Sequence, residues 1–472
     1  MPQKQTKIVA TISDLNCSQE FIQELFDNGI NVVRLNTAHQ AHDDTRRVIK
    51  SVRAVSDKIA LLVDTKGPEV RTQLIGKEGL TVKSGDRVIV SNELKDGEFG
   101  FGTNYDGFVN DVPVGSVILI DDGETGMTVV EKNDTQLICE IGNDGVIKNR
   151  KSANVPNVDI ELASLTQKDR DYVDFCIAED VDFIAHSFVR NAKDVLDIQA
   201  ILDEAGSKIK IISKIENRAG VDNIEEILDV TYGVMVARGD LGIEVPEEEV
   251  PAIQKALIAA CVRRGKPVIT ATQMLHTMIK NPRPTRAEVS DVANAVYDGT
   301  DAVMLSGETA YGEYPLESVQ TMTRIIKSIE ATRPVRANLE PCKLENDIHS
   351  FMAEAAVVAC DTMDVKAMII DTKIGASART VSSYRGATPI FAQTSSPRVM
   401  RELSLSYGVY AHQTEHASGT DALVTGALDF LVASKAVEAT DTVAVIGRTP
   451  RATTGANFFE ITSASEWAAS SK

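Results

Sequence analysis

Eight short runs rich in β-branched residues, each followed by a turn and then a helix-like stretch, constrain this chain more than any other feature. They are KIVATI (7–12), INVVRL (30–35), IALLVD (59–64), VDFIAHS (181–187), KIIS (210–213), GVMVA (233–237), PVITAT (267–272) and DAVMLS (301–306). Near-continuous apolar runs of this length read as strands covered on both faces, as in parallel sheets. Between them lie segments such as QEFIQELFDNG and NIEEILDVT, apolar at helical spacing. Some helices close on glycine, as in DNG (27–29) and RRG (263–265). Eight strands alternating with helices predict an α/β fold, a (β/α)8 barrel of the TIM type.

The alternation is interrupted between Asp64 and Val181. There, LTVKSGDRVIV and GSVILIDDGETGMTVVEKNDTQLICEI show period-two runs broken by turn residues, the pattern of hairpins. A small β-barrel lid inserted after the third strand is expected. After about residue 335 the polar, proline-containing TRPVRANLEPCKLEND reads as a linker. AMIIDT, PIFAQT and DTVAVIG beyond it predict a further α/β unit with a mostly parallel sheet. The expected division is 1–69 with 157–335 for the barrel, 70–156 for the lid, and 336–472 for the C-terminal unit. A length of 472 residues suits several cores.

A net charge of −19 argues against nucleic-acid and anionic-membrane partners, which select a basic face. It leaves room for small anionic substrates in a local basic pocket. The six cysteines (Cys17, Cys139, Cys176, Cys261, Cys342, Cys360) form no CxxC pair, and their scatter fits a reducing cytoplasm. The opening MPQKQTKIVATISD has an apolar run too short for a signal peptide. No stretch approaches the ~18 apolar residues of a membrane span.

In a (β/α)8 barrel, chemistry gathers at the C-terminal ends of the strands. The residues there are Arg34 and Asn36; Asp64, Thr65 and Lys66, with Glu69 and Arg71 further on; Ser187; Lys214 and Glu216; Arg238, Gly239 and Asp240; Thr272; and Ser306, Gly307 and Glu308. Any one of them alone reads most simply as a turn former or a helix cap: Asp240 suits a turn, and Glu308 suits the first turn of a helix. Taken together, the cations Arg34, Lys66, Arg71 and Lys214 point to a phosphate-bearing or multiply anionic ligand. Glu216 and Asp240 would repel such a ligand unless both held one divalent cation. Mg²⁺ or Mn²⁺ takes one or two carboxylates and completes its shell with substrate oxygens and water. Lys214 and Glu216, two residues apart on a strand, share a face, so the ammonium would meet the phosphoryl group that the metal bridges. That is an arrangement for phosphoryl transfer.

These residues lie in long motifs: VRLNTAH (33–39), LVDTKGPEVRT (62–72), IISKIEN (211–217), VMVARGDLGIEVP (234–246), TATQML (270–275) and NPRPTRAEVSDVANAVYDGTDAVMLSGETAYGEYP (281–315). Through them the chain resembles the pyruvate kinase family over nearly its whole length. The resemblance implies transfer of a phosphoryl group from phosphoenolpyruvate to ADP, giving pyruvate and ATP. It implies Glu216 and Asp240 as ligands of Mg²⁺ or Mn²⁺, Lys214 as the group stabilising the phosphoryl in flight, and Arg34 on the substrate phosphate. It further implies Thr272 with the amides of Gly239 and Asp240 on the substrate carboxylate, Ser187 beside the substrate, and enolate protonation on the Thr272 and Ser306 side. Asn36, Asp64 and Thr65 resemble a K⁺ site; His39, Arg71 and Lys151 resemble nucleotide contacts. Thr372, Lys373, Ser377 and Arg379 resemble a loop for a phosphorylated effector, with Thr453, Thr454, Gly455 and Asn457 in a later, family-like segment. Family members are usually homotetramers.

The chain departs from the family pattern in places. Ser13-Asp14 replaces Gly-Pro after the first strand, which puts a carboxylate near the expected nucleotide. Ala38 lacks a hydroxyl that usually completes the K⁺ shell, although Glu69 is the residue type of K⁺-requiring members; weakened K⁺ binding is expected. Ser152 and Asn157 replace two glycines where the lid returns to the barrel. These departures raise a second reading, a weakly active or non-catalytic metabolite-sensing paralogue. A third is a Mg²⁺-dependent barrel aldolase or lyase of 2-oxo acids, which would need neither the lid nor Lys66 and Arg71.

Overall fold

The computed structural model of the protein describes residues 4–332, 348–414, 420–447 and 456–467, apart from His39, Asp96, Asp159 and Ala464. Eight parallel strands close into a barrel: Lys7–Thr11, Val32–Asn36, Ala60–Asp64, Phe183–His186, Lys210–Ile215, Gly233–Ala237, Val268–Ala271 and Ala302–Leu305, each paired with its sequence neighbours and the last with the first. They are called barrel strands 1 to 8 below. The apolar runs end within a residue or two of these bounds. Strand 5 continues through Ile215, so Lys214 lies within it.

Side chains alternate in and out along each strand. Val9, Val32, Ala60, Leu62, Phe183, Ala185, Ile212, Met235, Ile269, Ala271, Ala302 and Met304 form one packed interior cluster. Ile8, Ala10, Val33, Leu61, Ile184, Ile211 and Val234 join the larger cluster under the surrounding helices. The inward parity, carried two residues further along the chain, falls on Arg34, Asp64, Ser187, Lys214 and Ser306. The site is therefore a continuation of the interior of the barrel past its last apolar layer.

Helix starts follow local chemistry. Thr166 with Asp169 and Thr285 with Glu288 form capping boxes for helices Gln167–Ala178 and Arg286–Asp298. Gly265, at φ +61°, ends the helix before strand 7 in a conformation that suits glycine.

Between Thr72 and Asn154 the chain forms a seven-stranded, mostly antiparallel sheet and a two-stranded ribbon, Leu80–Val82 with Gly145–Ile147, around a separate apolar core. Beyond residue 348, helices flank a five-stranded sheet in the spatial order Val409–Gln413, Ile390–Thr394, Ala367–Asp371, Thr442–Gly447, Phe458–Ser463. Its first four strands are parallel and the last is antiparallel. This unit seats against the N-terminal end of the barrel, away from the charged rim. Leu405 packs into the interior cluster of the barrel. The buried pair Arg385–Asp301 (2.6 Å) and the bond from Arg401 to Asp182 (2.6 Å) cross the same junction.

Candidate active site

Five strand ends converge on one charge cluster. Arg34 donates through Nε (2.7 Å) and pairs through Nη2 (2.6 Å) with Oδ2 of Asp64, and its Nη1 reaches the Thr11 hydroxyl at 3.1 Å. Lys214 Nζ lies 2.8 Å from Ser187 Oγ, 2.9 Å from Glu216 Oε1 and 3.1 Å from Asp64 Oδ1. The other Glu216 oxygen accepts the Phe188 amide at 2.6 Å, and Ser187 donates to the Thr65 carbonyl at 2.7 Å. Asp64 and Glu216 are each 1% exposed. The strand parity that aims Lys214 and Glu216 together thus delivers an ammonium held by three oxygens.

Electrostatics follow from that packing. Burial works against the Lys214 ammonium, but the carboxylates of Asp64, Glu216 and Asp240 outweigh it and hold its pKa above the usual lysine range. Burial likewise pushes Asp64 up, and Lys214 and Arg34 reverse it, so Asp64 stays below the usual carboxylate range. Glu216 goes the other way, up to about 8. Burial is the main cause, opposed by Lys214 and reinforced by Asp240 and Asp64. Three carboxyl groups share two cations, Arg34 and Lys214, and burial with the other two carboxyls leaves Glu216 the one not fully compensated. A hard divalent cation fits that deficit, with Glu216 and Asp240 as oxygen donors. Among the described residues no cluster of three or more acidic, histidine or cysteine ligands forms. A metal here would take the rest of its shell from water and substrate.

Across the rim, Gly239 N donates to Thr272 Oγ1 at 2.8 Å, and that hydroxyl donates to the Ala271 carbonyl at 2.6 Å. Thr272 and Gln273 hold φ of +68° and +54°; left-handed backbone at a non-glycine residue costs about 1–3 kcal/mol. Glu308, buried, accepts the amides of Leu275 (3.1 Å) and Ser306 (2.8 Å) and so ties together the loops after strands 7 and 8. The Ser306 hydroxyl is buried without a partner among the described residues, which leaves it available to a ligand or a water.

A cleft of about 720 Å³ runs from this rim to the inserted sheet, lined among others by Arg71, Lys151, Phe188, Arg218, Asp240 and Glu244. Arg71 pairs with Glu69 (2.6 Å) and Lys151 with Asp121 (2.6 Å). Asn154 of the insertion donates to Glu244 of the barrel at 2.9 Å. His39 lies outside the described residues. At the candidate K⁺ position, the Asn36 side chain accepts the Ala38 amide at 3.1 Å, Thr65 Oγ1 donates to the Ala185 carbonyl at 3.2 Å, and Thr37 donates to the Asp64 carbonyl at 2.8 Å.

The departures have local accounts. Asp14 is paired with Arg47 at 3.3 Å. Ser152 exchanges hydrogen bonds with Asp122, accepting its amide at 3.0 Å and donating to its carboxylate at 2.8 Å. Asn157 keeps φ at +61°, a left-handed position that asparagine tolerates better than most residues in place of glycine. In the C-terminal unit, Thr372 is buried, Lys373 is exposed, and Gly375 opens the helix Ala376–Ser383 that carries Ser377 and Arg379. Arg379 turns over the loop to the Ile374 carbonyl (3.3 Å) and to Tyr232 of the barrel (3.4 Å). Thr453, Thr454 and Gly455 lie outside the described residues.

Sequence reasoning gives Arg238 and Asp291 no role and reads Glu308 only as a first-turn helix acid. Arg238 and Glu308 stand at strand ends and were visible as charges. Asp291, on the helix Arg286–Asp298 between strands 7 and 8, carries no sequence signal that ties it to Arg238.

The barrel, the inserted sheet beside its cleft and the charged rim define a (β/α)8 protein whose site sits at the strand C-termini. The chain belongs to the pyruvate kinase family. Residues 3–319 match the family model described as pyruvate kinase, barrel domain, and residues 350–462 match that of the pyruvate kinase alpha/beta domain. The chain is 52% identical over 466 residues to the pyruvate kinase of Borreliella burgdorferi, with 98% of each chain covered. It is 46% identical over 461 residues to that of Staphylococcus epidermidis, covering 95% of this chain and 78% of the relative. The crystal structure of a pyruvate kinase from Cryptosporidium parvum superposes with a TM-score of 0.93 at 34% identity, covering 98% of this chain and 96% of that one.

Proposed function

We propose that this chain transfers the phosphoryl group of phosphoenolpyruvate to ADP, giving pyruvate and ATP. The observation that carries the reading is the buried Lys214 ammonium, fixed by Ser187, Asp64 and Glu216 at the mouth of the barrel. Its charge is oriented before substrate arrives, so little reorganisation accompanies transfer.

Arg34 and Lys214 receive the substrate phosphate and keep facing it as it moves toward the terminal oxygen of ADP. Glu216 and Asp240 would hold Mg²⁺ or Mn²⁺; bound there, the ion neutralises charge on the transferring oxygens. The Asp240 amide receives the substrate carboxylate, and the Gly239 amide and Thr272 hydroxyl exchange their present bonds, to each other and to the Ala271 carbonyl, for it on binding. The enolate left behind takes a proton at its methylene carbon from the Thr272 and Ser306 side, through water, and becomes pyruvate. The free Ser306 hydroxyl supports that assignment. Arg71 and Lys151 take the nucleotide side of the cleft, and the resemblance adds His39, which lies outside the described residues. Asn36, Asp64 and Thr65 form a K⁺ site, weakened because the Ala38 side chain offers no oxygen.

Thr372, Lys373, Ser377 and Arg379 take the phosphate of an effector. The chain assembles as a homotetramer; Ile348 and Phe351, each 69% exposed on one helix, supply apolar surface for contact. It works in the cytoplasm, in keeping with five cysteines that are free thiols among the described residues. The pairing of Asp14 with Arg47, the bonds of Ser152 with Asp122 and the backbone at Asn157 speak against a non-catalytic reading, whose remaining ground is Ala38.

A lactate-dehydrogenase-coupled assay tests the proposal: pyruvate should form only with ADP and a divalent cation present. Lys214→Met should lower turnover about a hundredfold or more, as loss of one preorganised donor does. Undiminished turnover in that variant refutes the role of Lys214. Pyruvate release without nucleotide would favour the aldolase reading.

A further inference from the structure

Arg238 follows the last residue of barrel strand 6, and its guanidinium is committed on all three nitrogens. Nη1 and Nη2 grip both oxygens of Asp291 at 2.5 and 2.7 Å. Nε donates to the Ala271 carbonyl at 3.0 Å, and Nη2 donates to the Thr272 carbonyl at 2.6 Å and approaches Met274 Sδ at 2.8 Å. Nη1 also reaches Gln254 at 3.2 Å. The residue whose carbonyl is held, Thr272, is β-branched and stands at φ +68°, where the chain does not rest unaided.

We propose that Arg238, anchored by Asp291, is a positioning residue for Thr272: it clamps the carbonyls of residues 271 and 272, keeps the turn left-handed, and thereby fixes the Thr272 hydroxyl over the Gly239 amide. The Ala271 carbonyl is the shared element, accepting both Arg238 Nε and Thr272 Oγ1. Without the clamp the 272–273 turn relaxes toward right-handed backbone and the hydroxyl swings away from Gly239. Asp291 matters because it fixes the plane of the guanidinium. Lysine, a point charge without a fork, cannot hold two carbonyls and a carboxylate in these directions. The proposal rests on the placement of Thr272 at the substrate carboxylate made above.

The test is a set of steady-state measurements on the full chain with Asp291→Asn, Arg238→Lys, Thr272→Ala and the Asp291→Asn/Thr272→Ala double variant, each checked by its melting temperature. Asp291 is about one-third exposed in its side chain, so its amide is expected to fold, and Arg238→Lys gives a second, independent reading. Misplacement of a reacting group by about 1 Å can cost on the order of a hundredfold. Asp291→Asn is therefore expected to lower kcat about tenfold and Arg238→Lys more, with half-saturating ADP unchanged. In the Thr272→Ala background, Asp291→Asn should cost less than about twofold, because the group it positions is gone. The same loss in both backgrounds overturns the proposal and leaves the role of Thr272 standing. A Thr272→Ala variant with full turnover overturns the placement of Thr272 at the substrate, and the clamp's role with it.

Discussion

Lys214 Nζ lies 2.9 Å from Glu216 Oε1, on a side chain that is 1% exposed. Buried ion pairs are a poor means of stabilising a fold, because desolvation consumes most of their Coulombic gain. In this one, burial raises the Glu216 pKa to about 8 even though Lys214 lowers it. Its placement at the mouth of the barrel, next to Asp64 and facing Asp240, makes sense as stored readiness for a phosphoryl group and a divalent cation. The same alternation that packs Ile212 into the interior puts both groups there.

The carboxylate of Asp14, new beside the expected nucleotide, is met by Arg47 at 3.3 Å with both side chains partly exposed. Exposed pairs contribute at most ~1 kcal/mol. Asp14→Asn should therefore change half-saturating ADP by less than about fivefold, the equivalent of that energy. Steady-state titration with ADP checks this. A tenfold or larger gain in ADP affinity would mean that Asp14 faces the nucleotide and not Arg47.

At the candidate K⁺ position the backbone amide of Ala38 binds Asn36 Oδ1, but its side chain has no oxygen. Ala38→Ser supplies one. One added oxygen contact is worth about 1 kcal/mol, so half-saturating K⁺ should fall roughly fivefold. Activity titrated with K⁺ against a Na⁺ background reads it. An unchanged K⁺ curve argues against a cation at Asn36, Asp64 and Thr65.

His186 ends barrel strand 4 and is fully buried, which pushes its pKa down to about 4, with Asp194 and Asp169 only partly restoring it. Its ordinary value is 6.5. Between those values the unfolded chain binds a proton that the folded chain refuses, so stability is highest above pH 6.5 and is lost as pH falls toward 4. From pH 7 to pH 5 this one group removes roughly 2 kcal/mol. Urea unfolding at the two pH values should show that part of the loss absent in His186→Leu. Equal losses in the variant and the parent would assign acid sensitivity elsewhere.

Much of this arrangement is written in short-range sequence. Strand parity alone orders Arg34, Asp64, Ser187, Lys214 and Glu216 on one rim, because a period of two cannot place Ile212 inward without Lys214 following. The capping boxes at Thr166 and Thr285 are equally local. The strands Val409–Gln413 and Phe458–Ser463, at the two edges of the C-terminal sheet, were not singled out. Half-buried, with polar and aromatic residues mixed, they lack the continuous apolar run that marks central strands. The grip of Arg238 on Asp291 was out of reach for a different reason. It joins the end of strand 6 to the helix after strand 7, 53 residues later, and only the packing of that helix against its strands brings them together. Asn157 reads in sequence as a lost glycine, whereas its backbone keeps the left-handed conformation.

Diffraction from crystals soaked in Mn²⁺ and a phosphoenolpyruvate analogue, recorded near the manganese edge, addresses the cluster itself. An anomalous peak is expected between the carboxylates of Glu216 and Asp240, with Lys214 facing the phosphonate or phosphate oxygens. A map with the analogue bound and no peak between those two residues would contradict the assignment of the rim as a metal-assisted phosphoryl-transfer site.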